Sequence, residues 1–342
     1  MAIKRYFANA DNTITNAFDE GMKTRGTGSN MGQADILEIF SIYAQESSAS
    51  VELERVLVNF PVSSISSDRA SGIIPKSGSV SFVLKMTNAP HPGQTPRDFK
   101  LQVSAVTRSW QEGTGLDMED YSDLTYGGIG SNWINASASY PWITVGGDYF
   151  LDASSSFTQS FDTGVEDLEV DISPLVEQWV NSAGNILGFK SSFGVGVRLT
   201  NAYEGYFSSS TGQNAGSVIH NTTGSTKTWY SKKFFSRQSE FFFKRPYIEA
   251  RWDSVVQDDR ASFYFSSSLA PAEDNLNTIY LYNYVRGRLT NIPEIDTGPI
   301  YVQLFSGSLN NSQPSSSMPL ILAADRTSSV NAVGDPLTYA TG

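Results

Sequence analysis

A chain of 342 residues with a net charge of −11 and a pI near 4.7 is a poor partner for a nucleic-acid backbone, because binding phosphates takes clustered Lys and Arg. It has no cysteine, which excludes disulfides, thiolate metal sites and a cysteine nucleophile, and which fits assembly in a reducing compartment. With 39% hydrophobic and 12% aromatic residues it can bury a large core, while the charged fraction of 17% is low and Ser, Thr, Asn and Gly fill the gap, a composition that suits an all-β chain with many turns.

The opening Met1-Ala-Ile-Lys-Arg-Tyr-Phe lacks the apolar run of a signal peptide, and nothing later reaches the length of a membrane span. The expectation is a soluble chain with no membrane partner, not exported by the general pathway. Alternation dominates from Asp35 onward. Leu37, Ile39 and Tyr43 share one strand face, and Val56, Val58 and Phe60 share another within Val51 to Phe60. Val80, Phe82, Leu84 and Met86 form a third strand, and Phe99, Leu101, Val103 and Ala105 a fourth. Turn clusters separate them: Gln45 to Ser50, Ser63 to Gly78 and the proline-rich Asn88 to Arg97. Glu112 to Asp148 reads as a long excursion, either functional or packed as a lid over a sandwich. One helix is expected after Asp171, with Ser173 as cap, Pro174 at its first position, and Leu175, Val176, Trp179 and Val180 on one face, ending at Gly184. Strands resume at Ile186 to Lys190 and Val195 to Leu199. Ser208 to Ser225 reads as an exposed loop, and Trp229 to Phe235 and Phe241 to Trp252 close the domain, with Pro246 marking a strand start or edge.

The fold class these patterns imply is all-β: a large jelly-roll-like β-sandwich with one short capping helix over residues 1–257, followed by a smaller immunoglobulin-like β-sandwich over 258–342. The second unit ends in a Ser-, Asn- and Pro-rich tail from Ser306, and its last residues read like a strand cut short.

Several ordered segments resemble one family. Ala10-Asp11 matches an opening strand, Asn30-Met31-Gly32 a turn, and Arg55-Val56-Leu57-Val58-Asn59-Phe60 an Arg-to-Leu strand from which Asn59 and Pro61 depart. Val106-Thr107-Arg108-Ser109-Trp110-Gln111-Glu112-Gly113, the Leu175-Val176-x-x-Trp179 helix, Gly188-Phe189 and Arg245-Pro246-Tyr247-Ile248-Glu249 follow in order. Over roughly residues 8–253 this series resembles the DNRLRE domain family. The resemblance implies a β-sandwich module that decorates surfaces, with no reaction attached. Trp110, Trp179 and Tyr247 are expected as core plugs, and Arg55 and Arg245 as partners of buried acceptors or as side chains lying along apolar surface.

A catalytic set is hard to assemble from these residues. His91 lies in a proline loop and His220 in a polar one, neither in a metal-binding or triad spacing. Gly26 to Gly32 has the wrong spacing for a phosphate loop and reads as a turn. Carboxylates cluster at Asp117, Glu119 and Asp120 and at Asp162, Glu166, Asp167, Glu169 and Asp171. These are solvated loop charge at their simplest; two of them 5–10 Å apart would serve glycoside cleavage. Asp117, Glu119 and Asp120 could alternatively hold a structural Ca²⁺, the one cofactor considered. Trp133, Tyr140 and Trp142 sit in the long excursion, where exposed rings would stack on a sugar and inward-facing rings would fasten the loop to the sandwich. The basic stretch Lys232, Lys233, Arg237, Lys244 and Arg245 is read as strands with basic outer faces.

The leading expectation is a non-enzymatic structural protein of a tailed-bacteriophage virion, assembled in the host cytoplasm and working at a collar or neck, tail or capsid surface. Its partners would be other virion proteins and copies of itself in a symmetric ring or oligomer. The alternative is a carbohydrate-binding or adhesive module of a cell-surface protein, with a surface glycan as ligand.

Overall fold

The alternating segments become strands because side chains two apart share a face, so each strand can bury one row against a second sheet. The computed structural model describes residues 2–18, 21–46, 50–75, 78–91, 95–116, 130–138, 140–180, 187–208, 218–253 and 284–289. In chain order the elements are β1 (Ala2–Phe7), β2 (Ala10–Thr15), β3 (Ile36–Tyr43), β4 (Val51–Asn59), α1 (Val62–Ala70), β5 (Val80–Met86) and β6 (Phe99–Ala105). They continue with β7 (Asn135–Ser137), β8 (Tyr140–Pro141), β9 (Ser156–Phe161), β10 (Leu168–Asp171), α2 (Ser173–Val180), β11 (Val195–Leu199), β12 (Trp229–Phe235) and β13 (Tyr247–Trp252). A last hairpin joins β14 (Tyr284–Val285) to β15 (Arg288–Leu289). The chain divides into two compact units, the first containing Met1–Val255. Apart from that hairpin, the expected immunoglobulin-like sandwich and its tail lie outside the described residues.

The first unit is an all-β sandwich. A four-stranded antiparallel sheet runs β1-β13-β5-β10, and a seven-stranded sheet runs β12-β3-β4-β11-β6-β9 with β2 added on β4. β4 is the hub. Glu54 pairs with both Thr15 and Phe40, and Val56 with both Thr13 and Val197. A strand has two edges, so β2 takes one and β3 and β11 divide the other. Between the sheets lie Leu37, Ile39, Val56, Val58, Phe82, Leu84, Leu101, Val103, Val197, Phe234 and Ile248, all essentially inaccessible to solvent. Phe99 stacks on Phe161 across paired strands at 5.1 Å between ring centres.

Several elements differ from their sequence expectation. Ser63 to Gly78, read as turn, contains α1, whose apolar face is only Val62 and Ile65. Arg69 continues that face at the i+7 position and makes a bidentate pair with Glu177 of α2, at 2.7 Å to each oxygen. Ile65 and Glu177 are fully buried, so α1 is held by tertiary contacts that no periodicity announces. In α2 the expected cap roles are exchanged. Asp171 accepts the Ser173 N–H at 2.8 Å, while the Ser173 hydroxyl accepts the Phe82 N–H of β5 at 2.7 Å and ties the helix to the small sheet. Residues 187–190 are not a strand: Gly188 has φ +80° and Phe189 is exposed. The stretch from Phe241 is likewise not strand: Phe242–Lys244 is a 3₁₀ turn, and Pro246 stands just before β13.

The Arg69–Glu177 pair supplies a test of the helix layer. Arg69→Ala leaves a carboxylate buried without its partner, which costs about 3–5 kcal/mol. Urea denaturation of the variant is expected to show a loss of that order, and Glu177→Gln on the same background should recover part of it.

Candidate interaction surface

Part of the outer face of the seven-stranded sheet, around β4, is also covered, while Lys100, Thr158 and Ser160 on β6 and β9 remain exposed. Residues 51, 53, 55 and 57 of β4 point away from the sandwich core, yet Val51, Leu53 and Leu57 are buried in a second core with Val106, Trp133, Ala136, Trp142, Phe207 and Val218. The covering segments are the excursion after β6 and the turns flanking β11. The excursion acts as a lid. Gly115 lets it approach: a Cβ there would lie 1.8 Å from the Asn30 carbonyl, and its N–H reaches Asn30 Oδ1 at 2.9 Å. Gly196 of β11 makes room for the Tyr149 ring, whose Cε1 would be 2.0 Å from a Cβ.

Two ionic clusters fasten the lid. In the first, Arg55 Nε and Nη2 donate to the two oxygens of Glu204 at 2.9 and 2.7 Å, and Nη1 donates to the Gly146 carbonyl of the lid at 3.0 Å. Tyr149 donates to the same carbonyl at 2.8 Å, and the Arg55 guanidinium lies 5.4 Å from the Trp133 ring centre. Arg198 joins Glu204 at 3.4 Å. Burial pulls the Arg55 guanidinium down, but the Glu204 charge and hydrogen bonds outweigh it and leave its pKa raised. Arg198, with burial dominating, is lowered, and burial raises the Tyr149 hydroxyl. In the second cluster Arg237 makes a bidentate pair with Glu112 at 2.6 and 2.8 Å. Glu112 Oε1 also accepts the Asp11 N–H, and Asp11 Oδ2 accepts the Arg237 N–H. The residues that carry the family resemblance at Asp11, Arg55 and Glu112 are therefore lid anchors. Trp110 does the same work, its indole N–H reaching the Phe193 carbonyl at 2.8 Å.

The expected sugar platform is not formed by its three residues. Trp133 is fully buried and Trp142 is 5% exposed, its indole N–H donating to the Asn132 carbonyl. Only Tyr140 faces solvent. A ring enclosed on both faces cannot stack on a sugar, so the inward-packing alternative describes Trp133 and Trp142. Asp117, Glu119 and Asp120 lie outside the described residues. Among the described residues no group of three or more His, Asp or Glu side chains is placed to share a metal ion. The second carboxylate series is drawn to separate partners: Glu169 to Lys85 and Arg251, Asp171 to the Ser173 N–H, Asp167 to the Asn88 N–H, and Glu166 to the Thr163 N–H. His91 accepts the Lys233 N–H at 3.1 Å, with burial lowering its pKa, and His220 is exposed.

The basic stretch also departs from the expected outer faces. Lys232 is 1% exposed and Arg237 is engaged with Glu112. What faces solvent instead is an aromatic knuckle between β12 and β13. Phe241 and Phe242 are each 48% exposed and Phe243 is 77% exposed. The knuckle is braced from behind: Phe242 lies 4.4 Å from Phe7, Lys244 sits 4.6 Å from the centres of Phe235 and Phe241, and Arg245 donates to the Ser239 carbonyl at 2.8 Å. A second surface feature is a shallow groove of about 610 Å³ on the outer face of the small sheet, lined by Ser79, Ser81, Val83, Glu169, Asp171, Arg251, Trp252 and Asp253. Among the described residues no helix is long and apolar enough to cross a membrane.

No family model matches this chain, and no curated protein matches it. The DNRLRE resemblance accordingly rests on the residues themselves.

Asp11 generates a pH prediction. It is fully buried, its Oδ1 has no hydrogen-bond partner, and burial raises its pKa from 3.8 to about 7, with the Glu112 charge adding to the rise and Arg237 opposing it. A folded value above the unfolded one means that folding takes up a proton. The stabilisation is complete below pH 3.8 and is lost as pH rises through about 7. Relative to Asp11→Asn, the natural chain should lose on the order of a few kcal/mol between pH 4 and 8. Paired denaturation curves at the two pH values measure this, and a pH-independent difference would contradict it.

Arg55→Met removes one charge of the first cluster and leaves Glu204 buried with Arg198 alone. Hydrogen exchange should accelerate at Trp133 and at Gly146–Tyr149 well before it does in β5, because the lid loses its anchor while the sandwich core keeps its own contacts.

Proposed function

We propose that this chain is a structural component of a bacteriophage particle, a DNRLRE-like module that works at a neck, tail or capsid surface through protein–protein contacts and catalyses no reaction. The observation that carries the reading is the braced Phe241–Phe243 knuckle. Three adjacent aromatic rings held in water are costly to a free chain and useful to an assembled one, since aromatic side chains are enriched in the centres of protein interfaces. The body behind the knuckle also suits load-bearing. The knuckle sits in the short turn between β12, which is paired into the large sheet, and β13, which is paired into the small one, so both of its ends are fixed. The net charge of −11 keeps the unassembled subunit soluble.

The glycan-binding alternative finds its support in the groove of the small sheet, where Trp252 lies beside Ser, Asp and Arg side chains that can hydrogen-bond hydroxyl groups. It no longer involves Trp133 or Trp142.

Mass spectrometry of purified particles from the host that carries this gene is expected to detect the chain at a stoichiometric copy number. Replacing Phe241, Phe242 and Phe243 together by Ser should leave the fold intact and abolish incorporation. Full occupancy by that variant would overturn the assembly role of the knuckle. Glycan-array binding that disappears in Arg251→Ala would favour the alternative.

A further inference from the structure

Lys232 occupies a core position. On β12 it shares the inward face with Phe234, and the strand pairs with β3 inside the large sheet. Its ammonium group is enclosed between the rings of Phe161 and Phe234, at 4.9 and 5.1 Å from their centres. Three oxygens surround it: Asn88 Oδ1 at 2.7 Å, the Gly164 carbonyl at 2.9 Å and the Glu166 carbonyl at 2.6 Å. Asn88 follows β5, the central strand of the small sheet, and its backbone bridges to Phe234. Flanking bonds from Ala89 N–H to Lys233 O and from Phe235 N–H to Thr87 O fix that crossing, and the Asp167 carboxylate accepts the Asn88 N–H at 2.8 Å. The Asn88 amide carbon is one bond beyond the oxygen that Lys232 already touches.

We propose that Lys232 and Asn88 join in an intramolecular isopeptide bond that staples the two sheets of the sandwich across 144 residues of sequence. The chemistry balances. Loss of one proton from the Lys232 ammonium to solvent base frees the amine, which attacks Asn88 Cγ and forms the new C–N bond. The nitrogen sheds a second proton to the side-chain amide nitrogen, the old Cγ–N bond breaks, and ammonia departs. Ammonia then takes up a proton from solvent and leaves as ammonium. The net change is ammonium plus carboxamide to secondary amide plus ammonium ion, with no oxidant, metal or cofactor.

Two features of the site favour the step. Burial lowers the Lys232 pKa to about 8, against the opposing charges of Glu166 and Asp167, so the nucleophilic amine is accessible near neutral pH. Fixing amine and amide in contact within an apolar enclosure supplies the proximity that a slow aminolysis requires. A chain without cysteine has no disulfide with which to cross-link its sheets.

Denaturing mass spectrometry of the full, freshly purified chain tests this directly. The natural chain is expected to be lighter than its sequence mass by one ammonia, and a protease digest should yield a branched peptide joining the segments that hold Asn88 and Lys232. Lys232→Arg and Asn88→Ala should each return to the full sequence mass and lose the branched peptide. A natural chain at full mass with Lys232 in an unbranched peptide would overturn the proposal, as would loss of ammonia without the branch.

Discussion

The buried pair between Arg55 and Glu204 is the constraint around which the first unit is arranged. An arginine in the middle of β4, the strand that carries three neighbours, must have its charge met once the outer face of the sheet is covered. Glu204 meets it from the turn after β11, and the Gly146 carbonyl meets it from the lid. One guanidinium with a rigid fork of donors thus locates two irregular segments against one strand. Without such a polar target, the part of the lid around Gly146 would rest on apolar contacts, and those specify position poorly.

Covering the outer face changes what the aromatic residues mean. In a sandwich with one solvated face, tryptophans of a long excursion would be displayed and a glycan platform would follow. Here a second core covers β4 on its outer side, so Trp133 and Trp142 are structural, and the Trp142 indole N–H is satisfied by the Asn132 carbonyl. Among the described residues, the three adjacent aromatic rings left in water are those of the Phe241–Phe243 turn, held out by a braced backbone and backed by Lys244 and Arg245.

Buried charge recurs in the unit, and each instance joins segments distant in sequence. Arg69 and Glu177 join the two helices; Asp11, Glu112 and Arg237 join the first strands, the lid and the segment after β12; Lys232 joins the large sheet to the end of β5. Such pairs add little net stability over apolar packing, because desolvation offsets much of their attraction. Their effect is to reject wrong arrangements, since a shifted lid or strand leaves a charge unpaired. At Lys232 the same enclosure places an amine against a carboxamide, and what begins as a device for specificity becomes a site for a covalent bond.

Legible in the sequence were the strands whose two faces differ. β3, β5 and β6 alternate because each buries one complete row in the sandwich core, and that row is local information. α2 was legible for the same reason at helical period. Edge strands such as β1 and β9 were not, because each contributes only one fully buried side chain, Tyr6 and Phe161. α1 was hidden by a serine-rich composition whose helical state depends on Glu177, more than a hundred residues away. Which face of a tryptophan meets water, which carboxylate meets Arg55, and that Lys232 points inward beside Asn88 were decided only by tertiary structure. The physical reason is common to all three: burial and charge pairing are properties of what packs on a residue from elsewhere in the chain, and the residue's own neighbours do not encode it.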